Sequence, residues 1–125
     1  MMFVKSNIMA ESGALPDAKM IAEMEKYNNS LKDAGMLIAL DGLRASKDGV
    51  RIVFENGNAS VMAGPFPHPE ELVSGYWTIQ AKSLDDAIAW AKRAPFPEGT
   101  IEIRQIQDMS EFPAEVQKVL ADRNK

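Results

Sequence analysis

The feature that most constrains the fold of this chain is a proline-rich segment near its middle. Pro65, Pro67 and Pro69 fall within five residues. Each proline fixes φ and lacks a backbone N–H, so this segment cannot form a central strand of a sheet. It is therefore predicted to be a loop, with the strands and helices lying before and after it.

Before the prolines, local patterns predict a helix and a β-hairpin. Met20, Met24, Tyr27 and Leu31 share one face of a helix. Asn56-Gly57 favours a tight hairpin turn, because a type I′ turn needs positive φ at both central residues. The predicted order is a strand at 3–9, a loop at 10–16, a helix at 17–34, an extended segment at 37–43 and hairpin strands at 50–55 and 59–62.

After the prolines, the pattern predicts a long strand over 72–82, in which Gly75 breaks the alternation and indicates a bulge or a close backbone approach. Ser83 with Asp86 resembles a capping box and predicts the start of a second helix. A strand over 101–106 and a short C-terminal helix around Val116, Val119 and Leu120 complete the chain.

The order β-α-β, hairpin, β-α-β is typical of a ferredoxin-like α+β domain with both helices on one face of a mostly antiparallel sheet. We expect one domain over residues 1–125. The long strand has Trp77 and Ile79 on one face, and Leu72 and Tyr76 on the other. An exposed apolar sheet face is unusual in a monomer, so a homodimer is predicted.

Composition excludes several classes of function. The net charge is −4 and the 14 basic residues are scattered, which argues against nucleic-acid binding. There is no cysteine and His68 is the one histidine, so thiolate chemistry and multi-histidine metal sites are excluded. We expect no metal and no cofactor. The N-terminus lacks the apolar core of a signal peptide and no run could span a bilayer, so a cytoplasmic protein without membrane contact is expected.

Two residues are candidates for acid–base chemistry. His68 lies between two prolines, and a rigid loop could hold its imidazole over a cleft. The alternative is a solvated loop histidine, or one bonded to a backbone carbonyl. Asp41 lies inside an apolar strand, where a carboxylate needs a partner. A structural ion pair with an arginine (Arg44, Arg51 or Arg104) or a position on an edge strand is the alternative to a catalytic base.

A ligand site is also predicted near the proline-rich loop. Tyr76, Phe66 and Arg44 are its candidate ligand-binding residues. Tyr76 could supply a flat apolar wall with a polar tip, although an aromatic residue in a strand is also typical of a core or an interface.

Several segments together resemble the YCII-related family, also called DGPF-domain proteins. These are the Gly-Pro-Phe turn in 63–66, the acidic-to-aromatic stretch 70–77, the Asp-Gly-Leu of 41–43 and the helix from Ser83. The family hallmark is Asp-Gly-Pro-Phe, and this chain has Ala63 where that aspartate stands. Any family role that depends on that aspartate is not carried over to this chain.

The resemblance implies a dimeric α-β barrel and leaves three functions open. The first is a small dimeric binding or accessory protein with a cleft near the Gly-Pro-Phe loop. The second is a cofactor-free lyase or isomerase that acts on a small acidic or aromatic compound through His68 and Asp41. The third is a structural interaction module without a ligand. The absence of the hallmark aspartate favours the first and third over the second.

Overall fold

A computed structural model describes residues 1–122, so the last three residues of the expected domain 1–125 lie outside the described part. The strands are β1 Met2–Lys5, β2 Leu37–Gly42, β3 Val50–Glu55, β4 Asn58–Ala63, β5 Val73–Ile79 and β6 Ile101–Ile103. The helices are α1 Ile8–Glu11, α2 Ala18–Asp33, α3 Leu84–Ala91 and α4 Ala114–Asp122, and short 3₁₀ turns occupy Ser46–Asp48, Pro69–Glu71 and Met109–Glu111.

Four strands form one antiparallel sheet in the order β2-β5-β1-β6. This order is compatible with the predicted ferredoxin-like α+β arrangement, in which the two halves of the chain interleave their strands. The hairpin β3–β4 pairs only with itself and forms a second, two-stranded sheet.

Both long helices pack on one face of the four-stranded sheet. The buried core contains Met2 and Trp77, which are directly paired across β1 and β5, together with Tyr27 and Leu31 of α2. Trp90 of α3 packs against the same cluster. The apolar face predicted for the helix at 17–34, which is α2, therefore packs on the core, as does Trp77 of β5.

The opposite face of this sheet, called the outer face below, is less apolar than expected. Asp41, Tyr76, Phe3 and Glu102 are consecutive pairing partners and form one row across all four strands. Phe3 and Tyr76 occupy the two central strands and are half-buried, whereas the two carboxylates lie on the edge strands and are exposed.

Two predicted boundaries are wrong. The first strand ends at Lys5, and residues 8–11, divided in the prediction between strand and loop, form a short helix. Asn7 begins this helix, because its side-chain oxygen accepts a hydrogen bond from the Ala10 N–H at 2.8 Å. The last strand is also shorter and ends at Ile103.

The expectation for Gly75 is confirmed. The β1–β5 register shifts between Val4 and Lys5, next to the pair Val4–Gly75. A Cβ on Gly75 would lie 3.0 Å from the carbonyl oxygen of Asp41, so a larger residue would push the strands apart. Regular alternation along β5 would put Val73 on the same face as Trp77. Because of this irregularity Val73 instead lines a cleft that is described below.

Candidate functional site

The Gly-Pro-Phe loop is held against the 3₁₀ turn Ser46–Asp48 by a close backbone approach. The Gly64 N–H donates to the Gly49 carbonyl at 3.0 Å. A Cβ on Gly64 would lie 1.7 Å from the carbonyl oxygen of Ser46, a distance at which atoms overlap. Glycine is therefore required at position 64 for the loop to reach this turn.

Ser46 joins three segments that are distant in sequence. Its backbone N–H donates to the Glu11 carboxylate at 3.0 Å, and its hydroxyl donates to the second oxygen of the same carboxylate. The Ser46 hydroxyl oxygen in turn accepts a hydrogen bond from the Phe66 N–H at 2.9 Å. Helix α1, the 3₁₀ turn and the Gly-Pro-Phe loop are fixed relative to one another by these bonds.

Two arginines lie beside this junction, one in an ion pair and the other over an aromatic ring. Arg44 pairs with Asp48, with Nε and Oδ2 3.4 Å apart. Arg51, on β3, lies over the Phe66 ring with its Cζ 3.9 Å from the ring centroid. Within residues 1–122 Arg51 makes no ion pair. Its N–H groups also donate no hydrogen bond within this range, so they are available to a planar anion.

These groups border an open cleft of about 390 Å³. Its apolar lining comes from Leu43, Phe66, Leu72 and Val73, and Glu11, Arg44, Ser46, Asp48 and Arg51 contribute polar groups. The Glu11 carboxylate is engaged by Ser46, and Asp48 by Arg44. Among the charged side chains of this lining, Arg51 is the one that makes neither an ion pair nor a hydrogen bond within residues 1–122.

Asp41 and Tyr76 come together on the outer face of the sheet. The Tyr76 hydroxyl donates to the Asp41 carboxylate at 2.8 Å. This bond raises the pKa of Tyr76 above its usual value, because it stabilises the protonated phenol beside a negative charge. Of the two structural alternatives for Asp41, the edge-strand position is observed, whereas pairing with an arginine is not, since the partner is this tyrosine.

His68 lies on the surface of the loop. Its side chain is 65% exposed, and Nδ1 is 3.5 Å from a Glu70 carboxylate oxygen. Its backbone has the left-handed conformation, with φ 60°, and it immediately precedes the turn Pro69–Glu71. No hydrogen bond joins it to Asp41 in the described part of the chain.

The predicted site residues therefore fall into three places. Phe66 and Arg44 line the cleft, Asp41 and Tyr76 pair on the outer face, and His68 is exposed beside Glu70. Sequence reasoning had not placed Arg51, Ser46 and Glu11 in a site. Arg51 alternates with Val50 and Ile52 as any solvent-facing strand residue does, so its local pattern gives no signal of the stacking on Phe66.

Within residues 1–122, no group of three or more histidine, aspartate or glutamate side chains is arranged to hold a metal ion. No helix in that range combines the length and apolar character needed to cross a membrane.

Comparison with known proteins identifies the domain. The family model of the YCII-related domain matches residues 1–110 of the chain. This range includes the cleft and the paired residues of the outer face. No curated protein matches the chain.

Proposed function

The chain belongs to the YCII-related family, and from this premise we propose that it is a homodimeric small-molecule-binding protein. Its ligand site is the cleft beside the Gly-Pro-Phe loop. The ligand is a small carboxylate with an apolar or aromatic body.

The observation that carries this proposal is the stacking of Arg51 on Phe66 at the cleft. The pair presents an apolar ring and a guanidinium edge side by side, and this edge has no acidic partner within residues 1–122. A carboxylate accepts two parallel hydrogen bonds from such an edge, which gives both affinity and orientation. Leu43, Leu72 and Val73 offer the apolar surface for the rest of the ligand.

The size of the cleft supports a small ligand. Its volume of about 390 Å³ falls near the lower end of the range in which proteins bind small molecules. The bonds through Ser46 hold its walls in place before binding, so little ordering is needed when a ligand enters.

Titration with benzoate, followed by protein NMR, tests the proposal. We expect shifts at residues of the cleft lining and saturation, with benzamide, the neutral analogue, binding at least about tenfold more weakly. Arg51→Gln should weaken benzoate binding by about tenfold or more, because a charge-assisted pair is lost.

Arg93→Gln is the matched control. Arg93 stacks on Trp90 with its Cζ 4.0 Å from the ring centroid, so it repeats the geometry outside the cleft. Benzoate affinity should be unchanged in this variant. Equal affinity for benzamide and benzoate, or an Arg51→Gln variant that binds as the wild type does, would contradict the proposal.

The lyase or isomerase interpretation stays a prediction. It requires His68 and Asp41 to act together, and each has a different partner in the structure. Binding in the cleft needs neither residue. His68→Gln should therefore leave benzoate affinity unchanged.

The homodimer is supported by the half-buried Phe3 and Tyr76 at the centre of the outer face. A second copy that covers this face would remove the aromatic rings from water. Sedimentation equilibrium at tens of micromolar chain should give twice the 13.8 kDa of one chain. A mass of one chain under these conditions would show that the dimer is not formed.

A further inference from the structure

The hairpin β3–β4 has one entirely apolar face, called the hairpin face below. Because side chains alternate along a strand, every second cross-strand pair lies on the same face. The pairs Val50–Ala63, Ile52–Val61 and Phe54–Ala59 form the hairpin face. The opposite face has the pairs Arg51–Met62, Val53–Ser60 and Glu55–Asn58.

The hairpin face is open to solvent in a single chain. Val50, Ile52, Phe54 and Val61 are 61%, 48%, 76% and 70% exposed. The strands of the hairpin pair with no other strand within residues 1–122. An isolated two-stranded hairpin is marginally stable in water, and packing of one face is what normally stabilises it.

We propose that the hairpin face is an interface with a second copy of this chain. This inference rests on the proposed homodimer and names a surface that the dimer buries. In the assembled pair, each hairpin lies against apolar surface of the other copy.

The area of the hairpin face is too small for a specific interface, so the dimer must bury a second surface as well. Two six-residue strands at the usual spacings give a flat footprint of roughly 200 Å². A specific interface buries about 800 Å² on each partner, so the hairpin face by itself falls well short. With the same strand spacings, the outer face of the four-stranded sheet adds a flat area of roughly 300 Å². Protruding side chains make the accessible area of both surfaces larger than these flat values.

The chemistry of the hairpin face also fits a second copy. Each chain has a net charge of −4, but the hairpin face contains no charged side chain. It therefore brings no carboxylate into the contact between two acidic chains. The same chain offers an apolar complement at the centre of its outer face, where Phe3 and Tyr76 are half-buried between the carboxylates of the edge strands. A surface that finds its complement on an identical molecule is the basis of a symmetric dimer.

The test compares dimer dissociation constants by sedimentation velocity over a dilution series. Ile52→Glu combined with Val61→Glu should weaken the dimer by at least about 100-fold, because it places two carboxylates in an apolar contact. Ser60→Glu is the matched control, since it adds a carboxylate to the same hairpin on the opposite face. It should leave the dissociation constant within about threefold of the wild type.

Each outcome has a definite meaning. A dimeric wild type whose constant is unchanged by Ile52→Glu/Val61→Glu overturns the role of the hairpin and leaves the dimer itself standing. A monomeric wild type overturns both. If the double variant does not fold, Val61→Thr serves instead, because it keeps the shape and adds one hydroxyl to the contact. It should weaken the dimer by about threefold or more, and an unchanged constant overturns the proposal.

Discussion

Trp77 shows how single residues stabilise the core while keeping their polar atoms satisfied. Its indole N–H donates to the buried Asn28 side chain at 2.8 Å, and its ring meets Tyr27 edge-on with centroids 5.3 Å apart. The Tyr27 hydroxyl donates to the Trp90 carbonyl at 2.7 Å. Helices α2 and α3 are thus joined by one hydrogen bond above the sheet. Burial raises the pKa of Tyr27 to about 12.

Tyr27→Phe should reveal this pKa in the dependence of stability on pH. At neutral pH we expect the variant to lose about 1 kcal/mol, because the hydrogen bond from the Tyr27 hydroxyl to the Trp90 carbonyl is lost. A tyrosine whose pKa is raised on folding stabilises the protein below its unfolded pKa of about 10. That contribution disappears as pH rises through about 12.

The wild type should therefore lose stability between about pH 10 and 12 more steeply than Tyr27→Phe. Urea unfolding of both proteins across this range provides the measurement. Parallel pH profiles would mean that Tyr27 titrates alike in the folded and unfolded chain.

Asp41→Asn should lower the pKa of Tyr76. The carboxylate accepts the phenol proton in a hydrogen bond and opposes formation of a second negative charge. An amide still accepts the bond without the charge. The chain has two tyrosines, so ultraviolet titration in a Tyr27→Phe background follows Tyr76 alone.

Glu102→Gln is the control for this titration, because Glu102 lies in the same row of the outer face and pairs with Arg104 rather than Tyr76. It changes the net charge as Asp41→Asn does. A downward shift of equal size in both variants would assign the effect to overall charge instead of to the hydrogen bond.

Among the elements, the Gly-Pro-Phe loop depends on the absence of a side chain at one position. Gly64→Ala should destabilise the protein by about 3 kcal/mol or more, because the new Cβ would overlap the Ser46 backbone. It should also weaken benzoate binding, since Phe66 follows directly in the loop. Urea unfolding and NMR titration measure the two effects.

Gly42→Ala is the matched control, since a Cβ there meets nothing within 4 Å and the residue has no positive φ. Its stability should stay within about 0.5 kcal/mol of the wild type. If Gly64→Ala were equally well tolerated, the close approach to Ser46 would not be needed for the fold.

The net charge of the chain argues against one class of partner, nucleic acids. Acidic residues outnumber basic ones by 18 to 14. Arg44 and Arg104 are also paired with neighbouring carboxylates. We expect no appreciable binding to duplex DNA or RNA at physiological salt. Fluorescence anisotropy of labelled duplexes checks this, and submicromolar affinity that falls steeply with added salt would contradict it.

Local sequence patterns predicted the main strands and helices of this protein and their order, although not helix α1. Helix α2, the hairpin around Asn56-Gly57 and the start of α3 at Ser83 were predicted, and all are present. These features depend on interactions within a few residues: side-chain periodicity, positive φ at a turn and a side chain that caps its own helix. The wrong boundary at residues 8–11 arose because one capping asparagine outweighed an apolar pattern that also suits a strand.

Phe66 and Arg44 of the cleft were predicted, but the other polar residues of its lining depend on contacts between distant parts of the chain. Ser46 meets Glu11 across 35 residues, and Asp41 takes Tyr76 as its partner across another 35 instead of an arginine. Arg51 lies on Phe66 because the loop folds back onto the 3₁₀ turn, which Gly64 allows. Each of these contacts depends on the path of the chain between distant residues. Local patterns describe the face of an element on which a side chain lies, whereas the partner that it meets there is set by packing.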